Sequence, residues 1–381
     1  MKIRLFLRCF CLALPLALTA APTESAPPLN PSGFRIHRGT NLSHWLSQYA
    51  GAPRDRFITE DDFRFIARTG FDHVRLPVDE KELWDDAGRP NEENFGYLTK
   101  ALGWARAHQL RVIVDLHTVR AHHFNVANDG GPANTLFSDP AAQRHFLGLW
   151  QQLSTRLRDQ PVDAVAYEIL NEAVADHDED WNRLAAAALA QIRATEPRRV
   201  VVIGSNRWQG AWKFPALQVP AGDPNIILST HCYEPFTFTH YRASWAPVKL
   251  YTGPVQYPGR PIPAEELAKI EAQQPRHIVD QFASARREWN VDTIRADLMP
   301  AIKRARELGL QLYCGEFGCL PTVPRADRLR YYRDFVGVLE SEGMAWANWD
   351  YKGNFGLFQR KGTDKSSGAP DAELLAALFQ Q

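Results

Sequence analysis

From residue 34 to residue 379 the chain alternates short β-like runs with longer amphipathic stretches, and this alternation limits the folds open to it. Eight runs read as strands: 34–41, 72–76, 111–116, 164–170, 200–203, 226–230, 311–314 and 345–349. Between most of them, apolar residues recur at three- and four-residue spacing, the mark of a helix with one buried face. These stretches are 60–68, 95–108, 140–157, 181–194, 293–308 and 328–341, and a last one at 372–379 closes the chain. Strand–helix alternation implies parallel strands joined by helical crossovers. Eight such units predict an α/β fold of the (β/α)8 or TIM-barrel type, with residues 34–381 as one domain. An open doubly wound sheet is the alternative. It normally carries a Gly-rich phosphate turn after its first strand, and none is present.

Two connections are long. One, 118–139, holds His122, His123, Phe124, Asn125 and the pair Gly130-Gly131. The other, 232–290, holds Phe236, Phe238, His240, Tyr241, Trp245 and a Pro/Gly-rich stretch at 251–263. Loops of this size in a compact domain are usually functional or disordered, and the aromatic content favours function. No internal repeat, low-complexity linker or appended binding module is visible.

Composition excludes several classes. Apolar residues make up 45% and charged residues 23%, as in a globular rather than a disordered chain. Lys plus Arg equals Asp plus Glu at 44 each, so no net field attracts nucleic acid or an anionic membrane. Residues 1–21 read as a secretory signal: Lys2, Arg4 and Arg8, an apolar run, then small residues at Ala20 and Ala21. A Pro-rich spacer, 22–33, follows. The mature protein is expected outside the cytoplasm, secreted or periplasmic, free of membrane and monomeric. Cys232, Cys314 and Cys319 remain after cleavage. Three is odd, so at least one thiol is free or pairs between chains; Cys314 and Cys319 bracket Glu316 and are the candidates for a bridge.

The last residues of the strand runs carry the chemistry. They are Asn41, Arg75, His117, Asn171 with Glu172, Asn206, His231 with Tyr233, Glu316 and Trp349. Strand ends usually hold small turn residues. Charge is costly at the end of a buried strand, so two glutamates there ask for a reason. The carboxyl ends of a parallel barrel are where ligands bind. Two carboxylates facing one cleft are the equipment for cleaving a glycosidic bond.

In this order the set resembles glycoside hydrolase family 5, the cellulases and related β-glycanases. That family carries an Arg on strand two, a His on strand three, Asn-Glu on strand four, His-x-Tyr on strand six, Glu on strand seven and Trp on strand eight. The resemblance spans essentially the whole mature chain. It implies Glu172 as acid/base and Glu316 as nucleophile of a retaining reaction, which needs the two carboxyls roughly 5 Å apart. Arg75 and Tyr233 are expected to favour the charged form of Glu316. The charge on Glu316 should in turn keep Glu172 protonated. Asn171 is expected on a sugar hydroxyl, His231 beside Glu172, and His117 and Trp349 around the sugar before the cut. No metal or cofactor is implied.

Other groups have plainer expectations. Glu168 shares a strand face with Glu172 but lies roughly 13 Å deeper, so it is read as a barrel-interior group paired with a cation or His. Asp115, two residues before His117, is read as its buttress or as interior packing. The acidic run 176–180 opens a helix and suits the helix dipole. His44 and Trp45, Trp208 and Lys352 are expected to line the substrate groove, and Phe124, Phe236, Phe238, Tyr241 and Trp245 its rim. The segment 38–46 looks like the first-strand motif of glucan-cleaving members. The loop after His117 departs from the Pro-Gly loop of bacterial cellulases, which bears on substrate subclass. The expected substrate is therefore β-1,4-glucan, cut endo-fashion. β-Mannan, xyloglucan or β-1,3-glucan are alternatives within the same chemistry, and a non-catalytic sugar-binding barrel is the alternative outside it. A Gly-x-Ser-x-Gly elbow is absent, which argues against a serine hydrolase.

Overall fold

Eight parallel strands close into a barrel in strict chain order, each bonded to its sequence neighbours and the eighth to the first. They are β1 Arg38–Asn41, β2 His73–Asp79, β3 Arg111–Thr118, β4 Val165–Glu168, β5 Val201–Gly204, β6 Ile226–His231, β7 Gln311–Glu316 and β8 Ala345–Asn348. The structure is a computed structural model that describes residues 30–49, 51–125, 134–359 and 368–380. The signal-peptide assignment and most of the assigned spacer lie outside the described residues. The barrel is the (β/α)8 fold that the alternation predicts.

Six of the crossovers are led by helices Glu60–Thr69, Glu92–Ala107, Pro140–Leu157, Asp178–Arg193, Val291–Leu308 and Arg325–Ser341, and Ala372–Phe379 ends the chain. Local chemistry sets their limits. Thr59 and Asp62 form a reciprocal capping box at the start of the first, and Gly70 at φ 105° ends it. Asn290 accepts the N–H of Thr293 to open Val291–Leu308, and Gly309 at φ 64° stops it. Each such cap is worth about 1 kcal/mol. None of the described helices is long and apolar enough to cross a membrane.

The barrel departs from the sequence reading in three places. The first run starts its ladder only at Arg38, because Phe34 and Ile36 turn inward. They close the barrel floor with Ile113, Ala166, Val200, Val202, Ile227, Tyr313, Ala345 and Ala347. The fifth crossover has no α-helix; a 3-10 turn, Ala211–Ala216, packs there instead. The 232–290 connection is not an open loop. It folds into short helices, Phe236–Thr239, Ala264–Gln273 and Arg276–Val279. Its own core holds Phe238, Tyr257, Phe282 and Trp289, each at most 1% exposed. Phe236–Thr239 and Arg276–Val279 have four residues each, too few to show a period, and Ala264–Gln273 buries only Leu267, so it carries no apolar stripe.

Candidate active site

Arg75, on β2 and wholly buried, is the hub of the barrel mouth. Its Nε donates to Glu168 Oε2 at 2.6 Å, and one Nη donates to Glu316 Oε1 at 2.7 Å and to Asn41 Oδ1 at 3.0 Å. The other Nη reaches Asn171 Oδ1 at 2.9 Å and pairs with Asp115 Oδ2 at 2.9 Å. β3 and β4 run in register with Asp115 beside Glu168, so the two carboxyls meet the cation together. Burial opposes the charge on Arg75, and Asp115, Glu168 and Glu316 overcome it, leaving the guanidinium more firmly protonated than usual. Burial pushes Asp115 and Glu168 each up to about 7, against the pull of Arg75. Glu168 is thus cation-paired, as the sequence predicts, but it does not lie a strand-length below the acids: it shares one guanidinium with Glu316, and Gln209 bonds both it and the Glu172 N–H.

Glu172 and Glu316 come from ladder ends four residues and none beyond their strands. β4 stops at Glu168, so Glu172 stands on the loop above it with φ 46°. Glu316 is the last residue of β7, where the β6–β7 register shifts between Thr230 and His231. An oxygen of each carboxyl and His231 Nδ1 all lie within 4.8 Å of one another. The partners of the two acids differ. Glu316 has Arg75 on one oxygen and the Tyr233 hydroxyl, donating at 2.8 Å, on the other. Glu172 has His231 Nδ1 at 2.9 Å.

These surroundings hold both protons more tightly than a free carboxyl does, and that of Glu172 more than that of Glu316. Burial lifts Glu316 above the usual carboxylate range, while Arg75, His117 and the Tyr233 hydroxyl pull it back. Burial, then the charge of Glu316, drives Glu172 well above that range. His231 is held neutral, since burial and then Arg75 push its pKa well below the ordinary value. The protonated form is thus favoured more strongly at Glu172 than at Glu316. The trio could in geometry ligate a metal ion, but both acids already have protein partners, and Arg75 supplies the positive charge.

His117 and Trp349 form one surface. Their rings stack with planes 8° apart and centroids 5.5 Å apart. His117 Nδ1 bonds Asp115 Oδ2 at 2.8 Å, so of the two roles the sequence left open for Asp115 the structure shows the buttress. Burial lowers the His117 pKa to about 4. Its Nε2 and that of His231 have no hydrogen-bond partner among the described residues. Phe124 packs edge-on to His117 at 5.5 Å, and its carbonyl accepts from Trp208 Nε1 at 3.2 Å, which brings Trp208 to the mouth. His44 Nδ1 bonds the Ser43 hydroxyl at 2.7 Å and lies 3.4 Å from Asp350.

The family model for cellulases of glycosyl hydrolase family 5 matches residues 25–355. The chain belongs to this family. It is 32% identical over 320 residues to endoglucanase C of Acetivibrio thermocellus, covering 82% of this chain and 90% of that one. It is 28% identical over 316 residues to cellodextrinase A of Ruminococcus flavefaciens, covering 81% and 84%. The structure of Thermotoga maritima Cel5A in complex with cellobiose shares the fold, with TM-score 0.70 and 22% identity over 90% of this chain and 97% of that one. This family-5 protein is thus a glycoside hydrolase of the cellulase type.

Several groove expectations for the hydrolase need correction. Trp45 is fully buried and stacks on Trp104 at 6.5 Å and against Tyr97 at 6.0 Å, so it is core. Lys352 donates to the Phe57 carbonyl at 2.9 Å and pairs with Asp62 at 2.7 Å, which ties it to the first helix and not to the groove. Phe238 and Tyr241 are buried within the folded insertion. Trp245, 52% exposed, and Phe236, stacked on His240, stay near Tyr233 through the His240 ring. Asn206 pins the loop after β4 by bonding both ends of Ala175. Cys232, Cys314 and Cys319 are all free and buried, so Cys314 and Cys319 do not form a bridge. The sequence reading missed Gln209, which is 1% exposed beneath Glu172, and Trp212, which is 62% exposed beyond β5. Gly204 and Gly210 around Gln209 were the only hint.

Proposed function

We propose that this family-5 hydrolase cleaves β-1,4-linked glucan internally, with retention at the anomeric carbon. The observation that carries the reading is the approach of Glu172 and Glu316 to within 4.8 Å, each with a different set of partners. Retaining enzymes hold their carboxyls about 5–5.5 Å apart, and inverting enzymes about 6.5–9.5 Å apart to admit a water.

In the first step Glu316 attacks the anomeric carbon through a carboxylate oxygen while Glu172 gives its proton to the departing glycosidic oxygen. The leaving sugar departs as an alcohol and Glu316 becomes a glycosyl ester. Esterification removes the negative charge that raised the Glu172 pKa, so Glu172 can then take a proton from water. That water opens the ester and restores Glu316. Neutral His231 hydrogen-bonds Glu172 through both steps without adding a charge. Arg75 and Tyr233 steady the Glu316 carboxylate and accommodate it as a leaving group in the second step. Asn171, fixed by Arg75 through its carbonyl oxygen, offers its amide N–H groups to a sugar hydroxyl. His117 and Trp349 form the floor for that sugar, with His117 Nε2 as a hydroxyl partner. Trp208 and His44 flank the groove.

The endo-β-1,4 preference rests on likeness to the endoglucanase named above. β-Mannan, xyloglucan and β-1,3-glucan remain the alternatives to test. The signal-like residues 1–21 support export to the periplasm or medium, and all the named site groups belong to one chain, which supports action as a monomer. The test is product analysis on a panel of soluble glucans and mannans, with proton NMR of the first anomer released. Internal cuts in β-1,4-glucan releasing the β-anomer first are expected. Initial release of the α-anomer would overturn retention, and a mannan preference would overturn the substrate. Mass spectrometry of protein recovered from periplasm and medium checks cleavage near Ala20 or Ala21.

A further inference from the structure

Among the described residues, Gln209 bonds to both halves of the Glu172–His231 pair. Its side-chain Oε1 accepts the Glu172 backbone N–H at 2.9 Å. Its backbone oxygen accepts the His231 N–H at 3.0 Å and the Thr230 hydroxyl at 2.8 Å. Its Nε2 donates to Ser229 Oγ at 2.9 Å and to Glu168 Oε1 at 3.2 Å. Four of the five contacts thus fall on groups that set where Glu172 and His231 stand, and the fifth reaches the Arg75 network.

The fold is shaped around this side chain. Arg207, Trp208 and Gln209 are three successive residues at positive φ, 56°, 61° and 54°. For residues other than Gly such backbone is strained, and it persists only where the surroundings over-determine it. Gly204, at the end of β5, makes the room: a Cβ there would lie 2.1 Å from Gln209 Cγ. Glu172 is itself at φ 46°, and the bond from Gln209 satisfies the N–H of that turn, at the base of the acid's own side chain. The His231 N–H, turned toward Gln209 at the β6 register shift, makes the matching contact on the other side.

We propose that Gln209 is a positioning residue for proton transfer: it fixes the span between Glu172 and His231, and so the placement of the acid/base proton, without touching the sugar. The proposal rests on the acid/base reading of Glu172. A misplacement of about 1 Å at a reacting group can cost about 100-fold in rate. The loss should fall on the step that needs the proton.

The test compares leaving groups. A 2,4-dinitrophenyl β-cellobioside leaves without help from an acid, whereas a poorly activated aryl β-cellobioside and the polysaccharide need the proton. For Gln209→Ala, the pre-steady-state glycosylation rate should fall less than about threefold with the activated substrate and roughly 10- to 100-fold with the poor one. The basic limb of the pH profile should also move. Gln209→Met keeps the volume and tests the same point should the alanine variant fold poorly. Glu172→Gln serves as the reference. If Glu172→Gln discriminates between leaving groups and both Gln209 variants slow the two substrates equally, Gln209 is only structural and the proposal is overturned while the acid/base reading stands. If Glu172→Gln does not discriminate either, the acid/base reading itself fails, and the proposal with it.

Discussion

The floor and the mouth of this barrel are made by the same strands and obey opposite rules. Along β3, Ile113 faces the floor cluster, while Asp115 and His117 on the same face of the strand belong to the mouth. On β4, Ala166 is floor and Glu168 is mouth. The floor is apolar and filled, as a packed barrel interior normally is. The mouth holds one guanidinium against Asp115, Glu168 and Glu316, all buried. Buried ion pairs of this kind are often no more stable than apolar residues of equal volume, because desolvation offsets their attraction. The contrast therefore separates what the fold needs from what the chemistry needs. The floor supplies stability. The mouth gathers buried charge, at a cost that packing elsewhere covers.

The sharpest way to break this contrast is Glu316→Gln. Turnover of an aryl β-cellobioside should fall by at least about 10⁴-fold, with the thermal midpoint nearly unchanged; near-normal turnover would sink the nucleophile assignment. Arg75→Met comes next, since it leaves three carboxyls facing one another. Breaking buried pairs should cost about 3–5 kcal/mol in urea unfolding, alongside loss of activity. A variant as stable as the parent would mean the acids are neutral without Arg75. On the floor, Ile113→Ala should cost about 2–5 kcal/mol by the same measurement. Its kcat/KM pH profile should keep its shape, and a shifted profile would show that floor and mouth are coupled. The smallest effect concerns Tyr233→Phe. The lost hydroxyl stabilised the carboxylate form of Glu316, so its pKa rises and the acidic limb of the profile moves to higher pH. A limb that stays or moves lower contradicts that role.

The barrel was legible from strand–helix alternation, and most of its mouth because several strand runs end on Arg, His, Glu or Trp, which no turn needs. Arg75, His117, Glu172, His231, Tyr233, Glu316 and Trp349 all meet at the mouth, and Asn171 meets them through Arg75. The loops were less readable. Trp45 and Trp349 both follow a strand end, yet Trp349 faces His117 and Trp45 turns back onto Trp104. Nothing in the few residues between strand and side chain tells which way a loop turns. Lys352 could not be assigned for a related reason: its partner, Asp62, is 290 positions away in the chain. Gln209 was marked only by the nearby Gly204 and Gly210, because its position depends on three left-handed residues that no propensity of Arg, Trp or Gln announces.

Asn41 sits where the barrel closes. It donates to the carbonyls of Gly315 on β7 and Asn348 on β8, and it accepts from Arg75 on β2. One amide thus ties the seam between β8 and β1 to the guanidinium. A chain with its ends not yet joined leaves the Asn41 amide without the two carbonyls that hold it. Closing the barrel and steadying one neighbour of Arg75 are therefore a single event.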